Sequence, residues 1–499
     1  MRPAQSVTDI WVKLLPRFAG SSLTLQGRIK EMMVRSILDG LVPLDAAMPP
    51  SRSLAQALGV SRNTVTLALQ RLVAKGFLIS RERSGLFVNP DIVLGQAGRR
   101  EPGDAPTSGL GWRARLKTTV GQQRNIAKPA QWQDFDYPFV YGQFDATLMP
   151  LADWRACSQQ SLLAPAVRQW SQDHVDRDHP GLVSQIQHRL LPARGIVAQR
   201  DQILVTAGAQ MACYLLAQVL MDSKTVVGME DPGYPDARNN FALHCGRLLP
   251  LAVDAQGLVP SRKLGACDYA FVTPSHQCPT SVTMPLARRQ ALLEMARKKN
   301  VVLFEDDHES ELSFLGKPLP ALKSLDSDGR VIYLGSLSKT LAHGLRLGYI
   351  VAAPELIAEL RALRRLLMRH VPSNNAHIAG LFIAQGYHDA FIRKLNVTYR
   401  ERRRVLLDAL ARWLPDCTVS QAHGGSGAWV QGPVGLDASA LAQAALSHGV
   451  LIEPGGVFFA RPTAAQNRCF RMGYSAIPSA AIEAGVRALR QAYLACLDR

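Results

Sequence analysis

Apolar residues at helical spacing predict the first secondary structure elements of this chain. Four of them recur at intervals of four and therefore share one face of a helix: Leu25, Ile29, Met33 and Ile37. Gly40 ends this helix. A shorter helix begins at 49–51 and ends before the turn Gly59-Val60. Its inward-facing residues are Leu54, Ala57 and Leu58.

A third helix and a β-hairpin complete this N-terminal module. Ser61 is a suitable N-cap, and the helix that it begins ends at Gly76. The buried face of this helix comprises Val65, Leu69 and Leu72. Two short strands, 77–80 and 86–88, flank the basic, glycine-containing tip 81–85, which is typical of a hairpin. Three helices followed by a hairpin make a winged helix-turn-helix.

The pattern changes after residue 90. Residues 91–131 are rich in Gly, Pro, Arg and Gln and have little apolar periodicity, which predicts a flexible linker. From Phe135 onward, strand-like runs alternate with helical runs such as 286–298. This alternation predicts a mostly parallel sheet covered by helices. The predicted strands are 202–206, 225–229, 269–272, 301–305 and 331–334.

A largely helical region follows Pro354, with predicted helices at 355–370 and 375–412. A smaller α+β subdomain, at about 415–499, closes the chain. We therefore predict three parts. They are a DNA-binding winged helix-turn-helix at 20–90, a flexible linker at 91–131 and an α/β effector domain at 132–499.

Composition supports this division and narrows the class of protein. A chain of 499 residues exceeds what one hydrophobic core usually supports. Residues 1–6 do not resemble a secretory signal, and no apolar run reaches the roughly 20 residues that span a bilayer. The eight cysteines lack metal-ligand spacing. We therefore expect reduced thiols, no metal site and no membrane partner, in a cytoplasmic protein.

Positive charge is concentrated near the N-terminus. The first 130 residues carry 19 lysines and arginines against 8 acidic residues, whereas the rest carry 38 against 32. A small segment with this excess is typical of a polyanion-binding module. A merely basic linker explains the charge alone equally well.

The start of the third predicted helix carries side chains suited to reading DNA. The N-terminal end of a recognition helix enters the major groove. Arg62 can bond guanine bidentately and Asn63 can do so with adenine, whereas Ser61 and Thr64 suit phosphate.

Two further residues extend this DNA-binding surface. Arg52 begins the preceding helix and should contact the DNA backbone, and Gly85 lets the wing approach a groove closely. Residues 49–78 resemble the GntR-type winged helix-turn-helix, which implies double-stranded operator DNA as partner. The loop 44–48 departs from that family's pattern. A module used only for protein contacts is the alternative.

A second constellation surrounds Lys339, in the run Gly335-Ser336-Leu337-Ser338-Lys339-Thr340. Together with Arg346, this run has the layout of an aldehyde-capturing lysine beside a phosphate site, which indicates pyridoxal 5'-phosphate (PLP) held as a Schiff base. PLP also needs an acid at the pyridine nitrogen, a donor to the phenolic oxygen, a stacking ring and a phosphate cradle.

The chain offers a candidate for each need, in the order found in fold-type I aminotransferases. Asp306 would face the pyridine nitrogen, His308 the phenolic oxygen, and Tyr234 would stack on the ring. The phosphate candidates are Gly208, Ala209, Gln210, Ser336, Ser338 and Arg346. Arg471 lies where this fold binds a substrate carboxylate, here that of an effector.

The whole of residues 20–495 resembles the MocR family of bacterial regulators, in which a GntR-type winged helix is joined to an aminotransferase-like domain. The segments 273–280 and 305–307 are typical of that family. The resemblance implies a homodimer arranged head to tail. The chain departs from the family pattern around the cofactor, at Cys278, Ser281, His308 and His343.

Three functions remain open from the sequence. The first is a PLP-dependent transcriptional regulator that senses an amino compound, or PLP itself, through Lys339. The second is an active PLP-dependent aminotransferase carrying a DNA-binding domain, which the departures around the cofactor make the weaker interpretation. The third is a repressor whose large domain is only a dimerisation scaffold.

Overall fold

The computed structural model describes residues 7–18, 20, 23–42, 47–93, 111–314 and 318–497. The chain divides into two compact units, residues 1–118 and 119–499. Positions 44–46, in the loop that departs from the GntR pattern, and positions 94–110 of the predicted linker lie outside the described residues. Across the described ranges, no helix is long and apolar enough to cross a bilayer.

The first unit contains the predicted three helices and hairpin, preceded by a helix that the pattern did not predict. Its elements are α1 (Val7–Leu14), α2 (Leu25–Leu38), α3 (Ser51–Leu58), α4 (Arg62–Ala74), β1 (Leu78–Arg81), β2 (Gly85–Val88), α5 (Pro90–Val93) and α6 (Trp112–Arg115). Strands β1 and β2 pair antiparallel. The predicted winged helix-turn-helix is therefore confirmed.

Helix α1 contributes Trp11 to the core of this unit. The Trp11 ring is fully buried, and its Nε1 donates to Ser36 Oγ at 2.7 Å. One predicted core position is wrong, because Ala55 rather than Ala57 is buried on α3. A shift of one residue turns a helical side chain by about 100°, so helix packing decides such positions.

Among the described residues of the second unit, eight strands form one sheet in the order β4, β11, β10, β9, β8, β5, β6, β7. Their bounds are β4 (Ile203–Thr206), β5 (Val226–Asp231), β6 (Arg247–Asp254), β7 (Gly257–Leu258), β8 (Tyr269–Val272), β9 (Val302–Asp306), β10 (Val331–Ser336) and β11 (Gly348–Val351). The five predicted strands are all present, and they run parallel. Strand β11, which was not predicted, pairs antiparallel with β10 and β4.

Helices cover both faces of this sheet. They are α7 (Leu151–Ser161), α8 (Ala164–Trp170), α9 (Pro180–Gln185), α10 (Leu191–Ala193), α11 (Ala209–Leu220), α12 (Pro235–Phe241), α13 (Leu286–Lys299), α14 (Pro354–Met368), α15 (Ser373–Ala384) and α16 (Tyr387–Trp413). Neighbouring strand residues enter different cores: Leu204 and Ile332 on one face, Val205 and Tyr333 on the other. Burial on both faces explains the continuous apolar strands.

The predicted helix 375–412 is two helices. Helix α15 ends at Ala384 and α16 begins at Tyr387, because Gly386 between them adopts φ 79°, a left-handed conformation. Glycine accepts this conformation without the steric cost that a side chain would add. The prediction of one continuous helix was therefore wrong.

The closing α+β subdomain is present as predicted. Its sheet has the order β12, β13, β16, β15. The elements of this C-terminal region are β12 (Thr418–Val419), β13 (Gly427–Gln431), α17 (Ala438–Leu446), β14 (Val450–Leu451), β15 (Glu453–Pro454), α18 (Ala464–Asn467), β16 (Cys469–Gly473) and α19 (Ser479–Leu497). The short strand β3 (Tyr137–Pro138) pairs with β14 and so joins the start of this unit to its end.

The last part of the predicted linker, residues 119–131 and hereafter the connector, belongs to the second unit. Gln123 Nε2 donates to the Asn239 carbonyl at 3.0 Å, and Asn239 Nδ2 donates to the Arg124 carbonyl at 2.9 Å. Arg124 Nη2 donates to the Phe459 carbonyl at 3.2 Å. The connector is thus held by specific hydrogen bonds.

Candidate functional site

A cavity of about 290 Å³ lies where the parallel strands β4, β5, β9 and β10 end. Ligands of open α/β sheets bind at this edge. Ten of the predicted cofactor and effector residues line the cavity: Ala209, Gln210, Tyr234, Asp306, His308, Ser336, Ser338, Lys339, Arg346 and Arg471. Gly208 lies beside it, since a Cβ built there would be 2.9 Å from Arg346 Nη2.

Lys339 presents its amine inside this cavity. Its Nζ lies 4.5 Å from the centre of the Tyr141 ring, and a side chain at Gly142 would collide with it. Burial lowers the pKa of the Lys339 amine, against the opposing effect of Glu309. A lowered pKa raises the fraction of neutral amine, which is the nucleophilic form.

The two adjacent aspartates at the end of β9 have different environments. Asp306 faces the cavity, and its buried Oδ1 accepts no hydrogen bond from the described residues. Asp307 is turned into the core, where it accepts from Arg194 Nε at 2.7 Å and from Tyr333 Oη at 2.8 Å. Asp306 therefore offers a free acceptor to a ligand, whereas Asp307 is satisfied by the protein.

His308 stands next to this free carboxylate, with its Nδ1 3.6 Å from Asp306 Oδ2. Burial disfavours the charged ring, but the carboxylates of Asp306 and Glu309 outweigh it and raise the pKa of His308. The protonated form is therefore more favoured than in a free histidine, and in that form both ring nitrogens are donors.

The other end of the cavity has the features of an anion cradle. Gly208, with φ 85°, is the N-cap of α11, so the free N–H groups of that helix begin here. Arg346 is held close to it, since its Nη2 donates to the Ala207 carbonyl at 3.1 Å. Ser336 lines this part of the cavity. The Ser338 hydroxyl donates instead to the Leu347 carbonyl at 3.3 Å.

Tyr234 forms one wall. Its hydroxyl donates to Asp236 Oδ2 at 2.9 Å, and Gln210 Nε2 donates to the same oxygen at 2.8 Å. Burial and the nearby Asp236 raise the pKa of Tyr234, so its hydroxyl stays protonated. The ring is therefore held in one orientation beside the residues that end β4 and β5.

The Arg471 side chain is held in place by other groups of the protein. It is buried on β16, and its Nε donates to Glu453 Oε2 at 2.7 Å. Its guanidinium carbon also lies 3.9 Å from the centre of the Tyr141 ring and 4.6 Å from that of Phe458. The sequence placed Arg471 in the cavity but did not reveal its ion-pair partner.

Glu309 is a functional candidate to which the sequence analysis assigned no role. It is buried, adopts φ 59°, and accepts from Ser426 Oγ at 2.6 Å and from the Ser426 N–H at 3.1 Å. Burial opposes its ionisation, but Lys339 and His308 outweigh this effect and lower the pKa of Glu309. A carboxylate is thereby kept near the lysine.

Tyr141, Lys128 and Asp236 also line the cavity and were missed. No motif marks Lys128 or Tyr141. Lys128 lies in the predicted linker, which has little apolar periodicity, and Tyr141 lies outside the predicted strands and helices. Asp236 follows Tyr234 by two residues, and this closeness is the one signal that was available.

Three positions that depart from the MocR pattern have distinct environments. Burial raises the pKa of Cys278 to about 12, so its thiol stays neutral near Arg471. Burial and Lys339 lower the pKa of His343 to about 3, so its ring is neutral. Ser281 has φ 57°, a conformation that the usual glycine accepts more easily.

The predicted DNA-reading residues lie together on the first unit. Arg52, Ser61, Arg62 and Asn63 are exposed. The Ser61 hydroxyl caps α4 by accepting from the Thr64 N–H at 3.1 Å, and the two hydroxyl oxygens are 2.7 Å apart. These hydroxyls are therefore partly engaged within the protein.

Two further features of this surface are the Arg62 side chain and the wing. Arg62 Nε donates to Ser51 Oγ at 3.4 Å, which links the starts of α3 and α4. Gly85, at the wing, is exposed and has φ 102°. Arg62 and Asn63 are thus exposed at the start of α4, and Gly85 adds no side chain to the wing.

Two families match the two units. Residues 25–88 match the family described as bacterial regulatory proteins, gntR family, and residues 166–489 match aminotransferase class I and II. Among solved structures, the chain is similar to LysN, an alpha-aminoadipate aminotransferase from Thermus thermophilus, with a TM-score of 0.71 and 26% identity. That match covers 78% of this chain and 100% of LysN.

Two relatives match nearly the whole chain. The HTH-type transcriptional regulator TauR of Rhodobacter capsulatus is 39% identical, over 95% of this chain and 97% of TauR. The probable rhizopine catabolism regulatory protein MocR of Rhizobium meliloti is 31% identical, over 95% of each chain. The aminotransferase family implies PLP as the cofactor, and Asp306 Oδ1, which has no partner among the described residues, and the Gly208 cradle fit its two ends. The chain therefore belongs to the MocR family of transcriptional regulators, which join a GntR-type DNA-binding domain to an aminotransferase-like domain.

Proposed function

We propose that this regulator senses a small amino compound bearing an acid group in the cavity around Lys339, and changes its operator binding in response. One observation carries the proposal: an accessible amine of lowered pKa, a carboxylate with one oxygen unpartnered among the described residues and an arginine line one cavity, in a chain that also carries a helix suited to reading DNA. PLP itself is the alternative effector.

The roles follow from the geometry. Bound PLP supplies an aldehyde that captures amines and a ring that withdraws electrons. Lys339 holds it, Asp306 bonds the pyridine nitrogen, and His308 donates to the phenolic oxygen. Tyr234 covers one face of the ring. The phosphate is bound by Gly208, Ala209, Gln210, Ser336 and Arg346, and Ser338 orders the lysine loop through Leu347.

Arg471 binds the acid group of the effector, because a guanidinium can bond a carboxylate while keeping its Nε bond to Glu453. Glu309 favours the protonated Lys339 and accepts a proton when the amine must react. Arg471 and Glu309 can take these roles without moving the residues that hold the cofactor.

DNA is bound by the domain at 20–90, through Arg62 and Asn63 at bases and through Arg52, Ser61, Thr64 and the wing at Gly85 at the backbone. The effector domain at 132–499 forms a homodimer, arranged head to tail, in the bacterial cytoplasm at the nucleoid. Two reading heads on one dimer require paired half-sites in the operator.

The test is a titration of the purified protein that follows the visible spectrum of the cofactor and operator binding in parallel. We expect amino acids to change both the spectrum and operator binding of the wild-type protein, and to change neither in Lys339→Ala. A spectral change that leaves operator binding unaltered would contradict the proposal.

An active aminotransferase carrying a DNA-binding domain is the second candidate, because Lys339, Asp306 and Arg471 share the cavity as transamination requires. The altered residues Cys278 and His343 beside them favour sensing instead. Rapid multiple turnover of an amino acid and a keto acid in the same preparation would establish the second candidate.

Arg62→Ala should weaken operator binding by about 1–3 kcal/mol and relax the base preference at one operator position. The reason is the loss of a bidentate contact to guanine. Lys75→Ala, at the exposed far end of the same helix, removes an equal charge and serves as control. A gel-shift titration at fixed salt measures both. Equal effects of the two changes would refute the assigned reading head.

Gly208→Ala should weaken PLP binding about tenfold. The conformation φ 85°, ψ 176° is essentially limited to glycine and costs a side chain about 1–3 kcal/mol, so relief of this strain would displace the backbone N–H groups of the cradle. The new Cβ would also lie 2.9 Å from Arg346 Nη2. Gly344→Ala is the control, because its added methyl group meets open space. Fluorescence titration of the cofactor-free protein measures both affinities, and wild-type affinity in Gly208→Ala would exclude the cradle.

A further inference from the structure

Two residues of the connector reach the cavity that contains Lys339. Ile126 and Lys128 are among its lining residues, although both come from the segment that leads to the DNA-binding domain. The Lys128 side chain is 24% exposed, so most of it is removed from water. The connector therefore contributes directly to the proposed effector site.

Lys128 belongs to a cluster of two cations that share one carboxylate. Its Nζ donates to the Tyr141 carbonyl and lies 3.2 Å from Glu453 Oε1. The other oxygen of Glu453, Oε2, accepts from Arg471 Nε at 2.7 Å. Glu453 is 2% exposed, so the cluster lies inside the protein rather than at its surface.

The charge of this cluster is not balanced by its own members. Lys128 and Arg471 together carry two positive charges, and Glu453 carries one negative charge. Burial lowers the pKa of Lys128 and Arg471 adds to this effect, against the opposing effect of Glu453. An additional anion placed between the two cations would relieve their repulsion. The low polarity of the buried cluster would strengthen the attraction between this anion and the cations.

The same segment is anchored on the far side of Arg471. Arg124 donates to the carbonyls of Gly456 and Phe459, on both sides of Phe458, whose ring packs against the Arg471 guanidinium. The connector thus holds the arginine site from two directions, through Lys128 and through the loop that carries Phe458.

We propose that Lys128 is a second cation for the acid group of the effector, and that binding of this group draws Lys128 away from Glu453 and changes the anchoring of the connector. The ligand class is an amino compound with a carboxylate or similar anion, as distinct from a simple amine. The inference rests on the proposed function and adds the route from the cavity toward the DNA-binding domain.

The test uses the full-length holoprotein and pairs of probes, each an unbranched amino carboxylate and an n-alkylamine of the same chain length. The acid preference is the ratio of their half-saturating concentrations in the visible spectrum. Wild-type protein should prefer acids. We expect Lys128→Met to lose about tenfold of that preference, as removal of a charge-assisted contact would. Lys117→Met, an exposed lysine of the first unit outside the cavity, should keep it.

Glu453→Gln should change the preference in the opposite direction, because it removes the internal carboxylate that competes with the ligand. Trypsin cleavage after the exposed Arg113 and Arg115 reports on the anchoring. The amino carboxylates should alter the cleavage rate in wild-type protein and in Lys117→Met, but not in Lys128→Met.

The outcomes separate this inference from the proposed function. A wild-type spectrum that no amine changes overturns both. A wild-type preference for acids that Lys128→Met retains overturns the role of Lys128 alone. If Lys128→Met does not fold, an unchanged or weaker preference for acids in Glu453→Gln overturns the role of Lys128. Cleavage that is insensitive to the ligand in wild-type protein overturns the change in anchoring.

Discussion

Lys339→Ala should abolish covalent attachment of the cofactor and with it the visible absorbance of the lysine-bound form. The Lys339 amine lines the cavity with a lowered pKa, which suits capture of an aldehyde, whereas the other lysine of the cavity, Lys128, is paired with Glu453. After borohydride reduction, intact-mass measurement should show the cofactor added to wild-type protein and absent from the variant.

Lys298→Ala is the control for this experiment. Its side chain is 64% exposed and pairs with Glu294 on the surface, where such ion pairs contribute little. It should retain the full mass increase. The assignment of Lys339 would be wrong if its alanine variant still gained the mass of the cofactor upon reduction.

Asp307→Ala should lower the free energy of unfolding of the second unit by about 3–5 kcal/mol, because it leaves the Arg194 charge buried without its partner. Arg194 and Asp307 are 4% and 0% exposed in their side chains. The Tyr333 hydroxyl loses its acceptor as well. Chemical denaturation followed by fluorescence measures the change.

Asp306→Ala is the matched comparison, at the last residue of β9, just before Asp307. Its Oδ1 has no partner among the described residues, so its loss should cost much less stability while weakening cofactor binding. Equal destabilisation by the two variants would contradict the assignment of Asp306 to ligand binding and of Asp307 to the stability of the core.

The local pattern predicted most elements of the large sheet. The predicted strand 269–272 matches β8, and the helix 286–298 ends one residue before α13. Such runs are decided by near neighbours, through apolar periodicity and terminating glycines or prolines. The unpredicted β11 is four residues long and gains its place by pairing with β10 and β4, which lie elsewhere in the sequence.

The cofactor residues were predictable for the same local reason. Asp306 ends β9, and Lys339 follows β10 by three residues, so each motif consists of a strand and the turn after it. Parallel strands bring their carboxyl ends to one edge, and the motifs therefore converge without further information.

By itself the sequence determined the winged helix-turn-helix, the order of five strands of the large sheet along the chain and most residues that line the cavity around Lys339, since periodicity and turn chemistry act between neighbours. Only the tertiary structure decided that Glu453 pairs with Arg471 and that Lys128 enters the same cluster. Glu453 and Arg471 meet because β15 pairs with β16, and Lys128 and Glu453 are more than 300 positions apart, so no local pattern could reveal either pair.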